Sequence, residues 1–154
     1  AAELRERGRA RYLMMSCHNR PFFPEMAGER FFDAFMVRYN AVHRGAEQEV
    51  FPLLPEGEAR PAIVAYTATR WGNLVDPRKT PPGERTPSAG DCYRFCLTNP
   101  NVSMALCGPR TREQMLAALD ALKRGPMSEE EMAWMRRVGD HIHKMTRRGD
   151  GKSL

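Results

Sequence analysis

The sequence has little that would place it in a membrane, in an oxidising compartment or around a metal ion. Its longest apolar runs fall far short of the ~20 residues that a membrane-spanning helix needs, and its first residues do not resemble a signal peptide. The four cysteines form no CxxC pair and lack the spacing of a zinc or iron–sulfur site. We therefore expect a soluble, cytoplasmic protein with free thiols and no bound metal.

The composition indicates an ordinary globular domain. Of the 154 residues, 42% are hydrophobic and 28% are charged, which is the balance of a folded protein rather than a disordered one. The net charge is +5, but the 24 basic residues are interleaved with 19 acidic ones. Such a surface suits small anionic ligands and does not favour nucleic acid as the partner. The length fits one domain or a piece of a larger one.

Most cysteines and histidines have an ordinary structural interpretation. Cys92 and Cys96 lie four residues apart on a predicted helix, which favours small buried side chains on one face. Cys17 and Cys107 end apolar strands, and we expect them in the core or in the wall of a site. The histidines predicted to be polar surface or loop residues are His43, His141 and His143. His18 follows a strand end, where a ligand contact and a plain wall position fit the sequence equally well.

Apolar strands alternate with helices along the chain. Strands are predicted at residues 11–17, 34–39, 61–67 and 102–107. Helices are predicted at residues 1–6, with Gly8 as the cap, and at 21–27, 47–54, 91–97, 112–123 and 128–144. In the last helix Ser128 and Glu131 fit a capping box, and apolar residues at helical spacing predict a core-facing stripe. Residues 76–90 hold four of the twelve prolines and no periodicity, which predicts a functional or mobile loop.

This alternation predicts an α/β fold with parallel strands joined by right-handed crossovers. Four strand–helix units and one extra helix fit either a doubly wound sheet or half of a (β/α)8 barrel, which takes about 250 residues when complete. In both architectures ligands bind at the carboxyl ends of the strands. Polar and aromatic residues follow the apolar strands in SCHN, VRYN, YTATRWG and GPRTR. We therefore predict the site at this edge of the sheet.

The segment ALCGPRTREQM, residues 105–115, passes from the fourth strand into a helix. Thr111 is predicted as the N-cap and Gln114 as its capping-box partner, so that the N–H groups of the first turn can hold an anion. The macrodipole disfavours arginine at a helix N-terminus by about 0.3–1 kcal/mol. A bound phosphate would reverse that sign, because guanidinium groups bind phosphate in a bidentate manner. Taken alone, Arg110 and Arg112 fit a phosphate site as well as they fit two solvated side chains.

The strand ends also occur in an order that resembles a known family. SCHN, VRYN, AYTATRWGNL and GPRTREQM, followed by a helix that opens MSEEE, are similar to the C-terminal half of an aldo-keto reductase over essentially the whole chain. The resemblance implies that residues 1–154 form the C-terminal half of an NAD(P)-binding (β/α)8 TIM barrel. It implies NADP(H), with NAD(H) as the alternative, bound in extended form without the Rossmann motif GxGxxG, which this sequence lacks.

The first matching residues would hold the nicotinamide end of the cofactor. Ser16 and Asn19 fall in the segment that binds the carboxamide in the family, where a Ser-Asn pair often serves. Here residues 17–18 intervene, and which of the two side chains makes the contact stays open. Tyr66 matches the aromatic residue that stacks on the nicotinamide ring.

Two further segments would hold the phosphate-bearing parts of the cofactor. The residues that match the pyrophosphate loop are Thr67, Thr69 and Arg70. Those that match the adenosine segment are Gly108, Arg110 and Gln114. Among these, Arg110 would meet a 2′-phosphate, which favours Arg110 over Arg112 as the phosphate ligand.

The chain also departs from the family. Met36 stands where a glutamine usually helps to hold the carboxamide, and Ala118 stands where an asparagine often contacts adenine. The family's Asp-Tyr-Lys-His tetrad, with the tyrosine as general acid, matches no segment here. Tyr12, Tyr39 and Tyr93 lack the required context, so we expect no catalytic residue in this chain.

The resemblance therefore implies an NAD(P)H-dependent reductase of aldehydes or ketones. This chain would supply the cofactor-binding half, and a complementary N-terminal half-barrel, on the same or another chain, would supply the tetrad. The substrate would be a small carbonyl compound, with neither nucleic acid nor membrane as a partner. The alternative is a non-catalytic half-barrel that binds a nucleotide or another protein.

Overall fold

The computed structural model describes residues 1–149. Within them the strands are β1 (Met14–Ser16), β2 (Ala34–Arg38), β3 (Ala62–Tyr66) and β4 (Met104–Ala105). The helices are α1 (Ala2–Glu6), α2 (Phe22–Gly28), α3 (Ala46–Glu49), α4 (Ala89–Thr98), α5 (Arg112–Arg124) and α6 (Glu129–Gly149). Short 3₁₀ turns lie at Phe51–Leu53, Gly57–Ala59, Asn73–Val75 and Pro77–Lys79. None of the helices in this part of the chain is long and apolar enough to cross a bilayer.

The order of the strands decides between the two predicted architectures. β1, β2, β3 and β4 lie side by side in chain order, and all pairs are parallel. Each crossover therefore steps in the same direction, and right-handed crossovers then place the connecting helices on one face. A doubly wound sheet reverses its strand order and carries helices on both faces. The structure confirms half of a (β/α)8 barrel and excludes the doubly wound alternative.

One face of the sheet is covered and the other is open. Side chains alternate between the two faces along a strand, and those on the covered, core side are Phe35, Val37, Ile63 and Ala65. The opposite face, which we call the inner face, carries Met14, Ser16, Met36, Arg38, Tyr66 and Met104. Met14 and Met104 on the inner face are 50% and 56% exposed. In a complete barrel this face is covered by the remaining strands.

The predicted elements are all present, but several are shorter than the sequence indicates. β1 and β4 are the outer strands of the sheet, so each has a hydrogen-bonded neighbour on one side only. Their paired segments are therefore shorter than the apolar runs that predict them. The predicted helix over residues 47–54 breaks after α3 into a 3₁₀ turn that contains Pro52, whose ring nitrogen has no N–H to donate. At the end of α1, Gly8 has φ +64° and its N–H donates to the Arg5 carbonyl at 3.0 Å, as its predicted capping role requires.

The loop over residues 76–90 is tied to α6. The Arg85 guanidinium lies 3.7 Å from the centre of the Trp134 ring, a cation–π contact. Arg137 on α6 donates to the Glu84 carboxylate at 2.8 Å. These two contacts join the loop to α6. The sequence pattern predicts the loop but not these contacts.

The final helix closes the core beside the strand ends. Its predicted capping box is present, since the Ser128 N–H donates to the Glu131 carboxylate at 3.0 Å and the Glu131 N–H donates to Ser128 Oγ at 3.3 Å. The stripe residues that reach the core are Met135, Val138 and Ile142. At Gly139 a Cβ would overlap the Ala41 carbonyl oxygen, so α6 can lie this close to the loop after β2 only because position 139 has no side chain.

Candidate functional site

A cleft of about 670 Å³ opens at the carboxyl ends of β3 and β4. It is lined by Tyr66, Thr67, Ala68, Thr69, Trp71, Gly72, Tyr93, Leu106, Cys107, Gly108, Arg110 and Gln114. The volume lies within the ~300–1,000 Å³ typical of small-molecule and cofactor sites. The predicted site residues that the fold brings together here are Tyr66, Thr67, Thr69, Gly108, Arg110 and Gln114.

The loop that forms one wall of the cleft has an unusual backbone. Thr67, Arg70 and Trp71 have positive φ angles of 58°, 54° and 52°. A positive φ is rare outside glycine and is a genuine outlier for a β-branched residue such as threonine. Such conformations cost about 1–3 kcal/mol each and cluster at ligand sites. This loop is therefore held in shape by its surroundings rather than by its own preference.

Asn40 is the residue that holds the strained loop. It is fully buried after the end of β2, and its side-chain amide donates to the Thr67 carbonyl at 2.9 Å. The other end of the same side chain accepts hydrogen bonds from the Val42 and His43 N–H groups at 3.0 and 2.9 Å. One side chain thus fixes both the loop after β2 and the loop after β3.

The opposite wall is formed by the start of α5. Thr111 Oγ1 accepts from the Gln114 N–H at 3.2 Å, which confirms Thr111 as the N-cap. In a capping box the Gln114 side chain would accept from the N–H of the N-cap, Thr111. It accepts instead from the N–H of the preceding residue, Arg110, at 2.8 Å. Arg110 is exposed at the rim of the cleft. Within residues 1–149 its guanidinium has no hydrogen bond or ion pair.

Three predicted site residues lie outside the cleft. Ser16 ends β1 on the inner face and is in register with Met36 of β2, while Asn19 is exposed in the following loop. Both lie at the carboxyl edge of the sheet, two strands away from Tyr66. Arg70 does not line the cleft either, but its guanidinium lies 4.7 Å from the centre of the Trp71 ring, which does.

The residues that depart from the family pattern occupy structural positions. Met36 is half-buried on the inner face between β1 and β3. Ala118 is 9% exposed on α5, the helix that packs against α4, and it does not line the cleft. Neither position offers a polar group to a ligand.

The cysteines lie where the sequence predicts them, two buried on one helix and two in the core or in the wall of a site. Cys92 and Cys96 are buried in the core, and burial raises the pKa of both thiols. Cys17 is half-buried and packs against the core. Cys107 is exposed and lines the cleft, because β4 ends at Ala105, two residues before it. No group of three histidine, cysteine, aspartate or glutamate side chains that could hold a metal ion occurs among the described residues.

Tyr12, Tyr39 and Tyr93 do not have the environment of a general acid. Tyr39 is fully buried and donates to the Glu47 carboxylate at 2.7 Å, and burial raises its pKa. Burial also raises the pKa of Tyr93 in the cleft, whereas a general acid needs a pKa closer to the working pH. Tyr12 is 76% exposed outside the cleft.

His43 is more deeply placed than a polar loop residue. It is half-buried, its ring centre is 6.3 Å from that of His143 on α6, and its buried Nδ1 has no hydrogen-bond partner among the described residues. Burial, followed by the positive charges of Arg38 and Arg70, lowers the pKa of His43 to about 4. His43 lies in the loop after β2, as predicted, but the sequence did not predict its burial.

This environment predicts a pH dependence of stability. The pKa of His43 in the folded protein, about 4, lies below the ordinary value of 6.5, so the unfolded chain holds this proton more tightly. The free energy of unfolding should fall by about 1–2 kcal/mol as pH drops from 6.5 towards 4. Urea denaturation across this range should show a shallower slope for His43→Gln. His18→Gln, at an exposed position, is the control, and an unchanged slope in His43→Gln would contradict the assignment.

Comparison with solved structures shows the fold to which this site belongs. The aldo-keto reductase AKR11C1 from Bacillus halodurans, in its holo form, matches with a TM-score of 0.70 and 20% sequence identity over 89% of this chain and 53% of its own length. The apo form of the same protein matches with the same score and identity over 54% of its length. The chain therefore spans about half the length of these solved structures. No protein-family model and no curated protein matches the sequence. The likeness confirms the fold, half of a (β/α)8 barrel, that the sequence predicts.

Proposed function

We propose that this half-barrel is the NAD(P)H-binding part of an oxidoreductase that reduces aldehydes or ketones. The observation that carries the proposal is the cleft, which brings together six of the nine side chains predicted to bind the cofactor. They come from residues 66–69 and 108–114, and the fold places these two segments on opposite walls of one cleft. The free state of all four cysteines fits the reducing cytoplasm in which we propose that the protein works.

The donor groups in the cleft fit the parts of a nicotinamide dinucleotide. The Tyr66 ring offers an apolar face for stacking, and Thr67 and Thr69 offer hydroxyl groups beside the phosphates. Arg110 offers an exposed guanidinium to a third phosphate on the adenosine ribose. The first turn of α5, with its N-cap at Thr111, adds a partial positive charge at the same end. When bound, the cofactor would supply the hydride that reduces the carbonyl carbon.

The proton for the carbonyl oxygen has to come from outside this chain. Burial raises the pKa of Tyr39 and Tyr93, Tyr12 lies outside the cleft, and Tyr66 is proposed to stack on the nicotinamide. The family's tetrad matches no segment here. We propose that a complementary N-terminal half-barrel, on the same or another polypeptide, supplies that acid and covers the inner face. The sequence encoded upstream of Ala1 tests this directly, because it should place Asp, Tyr, Lys and His at predicted strand ends.

A second candidate function is a non-catalytic module that binds a nucleotide or another protein. It is favoured by the loss of polar contacts at Met36 and Ala118, and by an apolar stripe on α5. The exposed members of that stripe are Met115, Leu116, Leu119 and Leu122. This module would bind NADPH or a protein partner without oxidising the cofactor. Loss of NADPH absorbance in the presence of an aldehyde therefore separates the two candidates.

Arg110→Ala should weaken NADPH more than NADH. Loss of a charge-assisted contact to the 2′-phosphate corresponds to about 1.5–3 kcal/mol, or roughly a 10- to 100-fold rise in the Kd for NADPH. NADH has no 2′-phosphate, so its Kd should change little. Both constants can be measured on the full-length protein by quenching of tryptophan and tyrosine fluorescence.

The matched control is Arg112→Ala, which removes the same charge from the first residue of α5. It should weaken NADPH less than Arg110→Ala does. Equal losses of NADPH and NADH affinity in Arg110→Ala would rule out the 2′-phosphate role. Equal effects of the two variants would mean that only the general positive charge matters.

A further inference from the structure

Trp71 is a large aromatic side chain that the fold leaves open to solvent. It is 64% exposed, whereas Trp134, the other tryptophan of the sequence, is 7% exposed. Trp71 lines the cleft together with the residues that we propose bind the cofactor. Small-molecule sites are lined mainly by apolar and aromatic side chains, and an aromatic ring gains free energy when a ligand covers it. Trp71 is therefore a candidate ligand contact that the strand-end motifs do not assign.

The loop holds the backbone of Trp71 in an unfavourable conformation. Its φ angle is 52°, between values of 54° at Arg70 and 83° at Gly72. A positive φ is a genuine outlier for a bulky residue, and such outliers cluster at ligand sites. Asn73 closes the turn, since its N–H and its side-chain amide both donate to the Arg70 carbonyl, at 3.1 and 2.7 Å. The turn, rather than the preference of Trp71 itself, therefore fixes where the indole leaves the backbone.

One face of the indole is covered, and the remainder is available to a ligand. The Arg70 guanidinium carbon lies 4.7 Å from the centre of the Trp71 ring, a cation–π contact. Within residues 1–149 the indole makes no other cation–π or aromatic contact. Because 64% of Trp71 is in solvent, a planar group can stack on the face that Arg70 does not cover.

A nicotinamide dinucleotide has two flat rings, and the cleft offers a separate aromatic side chain for each. The aromatic rings that line it belong to Tyr66, Trp71 and Tyr93. Tyr66 is the proposed partner of the nicotinamide. Tyr93 is half-buried and packs against the core, so its ring is already partly covered. Trp71 is the ring that remains for the adenine.

The order of the residues in this wall also places Trp71 towards the adenosine end. Tyr66 stands at the strand end, and in the proposed function Thr67 and Thr69, which follow it, offer hydroxyl groups to the phosphates. Trp71 comes next along the loop. The part of an extended cofactor that follows its phosphates is the adenosine, and Arg110, to which we assign the 2′-phosphate, lines the same cleft from the opposite wall.

The opposite wall offers the adenine no aromatic partner. Its residues in the cleft are Leu106, Cys107, Gly108, Arg110 and Gln114. The Gln114 side-chain oxygen already accepts from the Arg110 N–H at 2.8 Å. Ala118, further along α5, has no polar side-chain group. Stacking on Trp71 supplies a contact that this wall does not.

We propose that Trp71 is a further cofactor-binding residue and that its indole stacks on the adenine of NAD(P)H. The inference rests on the proposed cofactor-binding function. Stacking depends on the base and not on the 2′-phosphate, so Trp71 contributes to the binding of NADPH and NADH alike, whereas Arg110 contributes to NADPH alone. The two walls of the cleft therefore recognise different parts of the adenosine, one its base and the other its phosphate.

Trp71→Leu tests this proposal in the full-length protein. The probe is 2′,5′-ADP, which carries the adenine and the 2′-phosphate of NADPH but no nicotinamide. The substitution should raise the Kd of 2′,5′-ADP, NADPH and NADH by a similar factor, roughly 5- to 50-fold, as expected for a lost base–aromatic stack. Trp71→Phe keeps an aromatic face and should recover part of the affinity. Calorimetry measures these constants, and 2′,5′-ADP should change the tryptophan emission of the wild type but not that of Trp71→Leu.

Tyr12→Leu is the matched control, because Tyr12 is an aromatic residue that is 76% exposed outside the cleft. It should leave the constants unchanged. An unchanged Kd for 2′,5′-ADP in Trp71→Leu overturns the proposal. This holds even if the Kd for NADPH rises, because Trp71 then contacts the nicotinamide half. A loss that spares NADH also overturns it, because Trp71 then acts on the 2′-phosphate.

Arg70→Met separates stacking on the adenine from an effect transmitted through Arg70. Leucine at position 71 also removes the cation–π partner of Arg70, which matches the pyrophosphate loop. In the Arg70→Met background, Trp71→Leu should still weaken the binding of 2′,5′-ADP. If the effect disappears in that background, Trp71 only positions Arg70 and the proposal is overturned.

Failure of the inference and failure of the function give different results. If the wild-type protein binds NADPH and 2′,5′-ADP and Trp71→Leu binds both as tightly, the cofactor-binding function stands and the role of Trp71 falls. If the wild type binds neither compound, the cofactor-binding function falls, and the inference falls with it.

Discussion

Replacing Asn40 by alanine is expected to lower the free energy of unfolding by about 1–3 kcal/mol and to weaken NADPH binding at the same time. Asn40 is fully buried, and alanine would leave the Thr67 carbonyl and the Val42 and His43 N–H groups without this partner. The Val42 N–H would be left without a partner, whereas the His43 N–H would keep the Asn40 backbone carbonyl at 3.0 Å. A buried group left unsatisfied costs about 1–3 kcal/mol. The Thr67 carbonyl would keep only the Arg70 N–H of its own loop, at 2.8 Å, so the positive φ at Thr67 would lose its tie to the loop after β2. Urea denaturation and fluorescence titration with NADPH measure the two effects.

Asn99→Ala is the matched control for that experiment. Asn99 also uses its whole side-chain amide, donating to the Tyr39 hydroxyl at 3.1 Å and accepting from the Asn101 N–H at 3.0 Å. It lies at the end of α4 and does not line the cleft, so its loss should lower stability without changing NADPH affinity. If Asn40→Ala lowers stability but leaves the Kd unchanged, the shape of the Thr67 loop does not depend on Asn40.

The second large effect is expected at Asp91, where alanine should cost about 3–5 kcal/mol of folding free energy. Asp91 is fully buried in the first turn of α4 and accepts from the Ser88 N–H at 2.9 Å and from Arg85 at 3.0 Å. Arg124 Nη2 lies 2.9 Å from its other oxygen, and Arg94 lies 4.0 Å away. Removing this carboxylate leaves the Ser88 N–H and the Arg85 guanidinium without this acceptor and takes the nearest counter-charge from Arg124, while the buried Arg94 keeps Glu131 at 2.6 Å.

The same carboxylate gives a pH signature in acid. Burial alone would raise the pKa of Asp91, but the hydrogen bonds from Arg85 and Ser88 outweigh it and hold the pKa at about 2. Because this value lies below the ordinary 3.8, the stabilisation is complete above pH 3.8 and is lost as pH falls towards 2. Asp91→Ala should therefore lose less stability than the wild type between these values in urea denaturation.

Asp120→Ala is the control for Asp91→Ala. Asp120 pairs with the same Arg124, at 3.4 Å, but its side chain is 46% exposed. Its removal should cost less than about 1 kcal/mol, as exposed ion pairs do. Similar losses in the two variants would show that the burial of Asp91 does not make its pairs stronger.

Local features were predictable from the sequence because they depend on a few neighbouring residues. The Ser128–Glu131 capping box and the role of Gly8 follow from spacing and backbone preference alone. The burial of Cys92 and Cys96 follows in the same way from a four-residue interval on a helix. These predictions did not require knowledge of which elements meet in space.

The choice of architecture needed information that no local pattern contains. Alternating strands and helices fit two folds equally, and only the order β1-β2-β3-β4 separates them. The ordered strand-end motifs pointed to the barrel, and the solved structures confirmed that fold. The lengths of β1 and β4 were overestimated, because an apolar run does not reveal whether a strand has one neighbour or two.

The residues that hold the site were missed for the same reason. In the sequence, Asn40 is the last residue of the strand-end motif VRYN, and nothing there indicates that it bonds to Thr67, which is 27 residues further along the chain. The predicted helix begins at Asp91, whereas α4 begins at Ala89, with Ser88 as its N-cap and Asp91 as the capping-box partner.

The open inner face has a consequence for where one half of this barrel ends and the other begins. Val37 is buried in the core of this half-barrel, while the next residue, Arg38, lies on the inner face, which we propose that a complementary half-barrel covers. In the proposed complete barrel, the boundary between the two halves would therefore not be a single position in the sequence. It would follow the plane of the sheet, so that two residues joined by one peptide bond face opposite sides of that boundary.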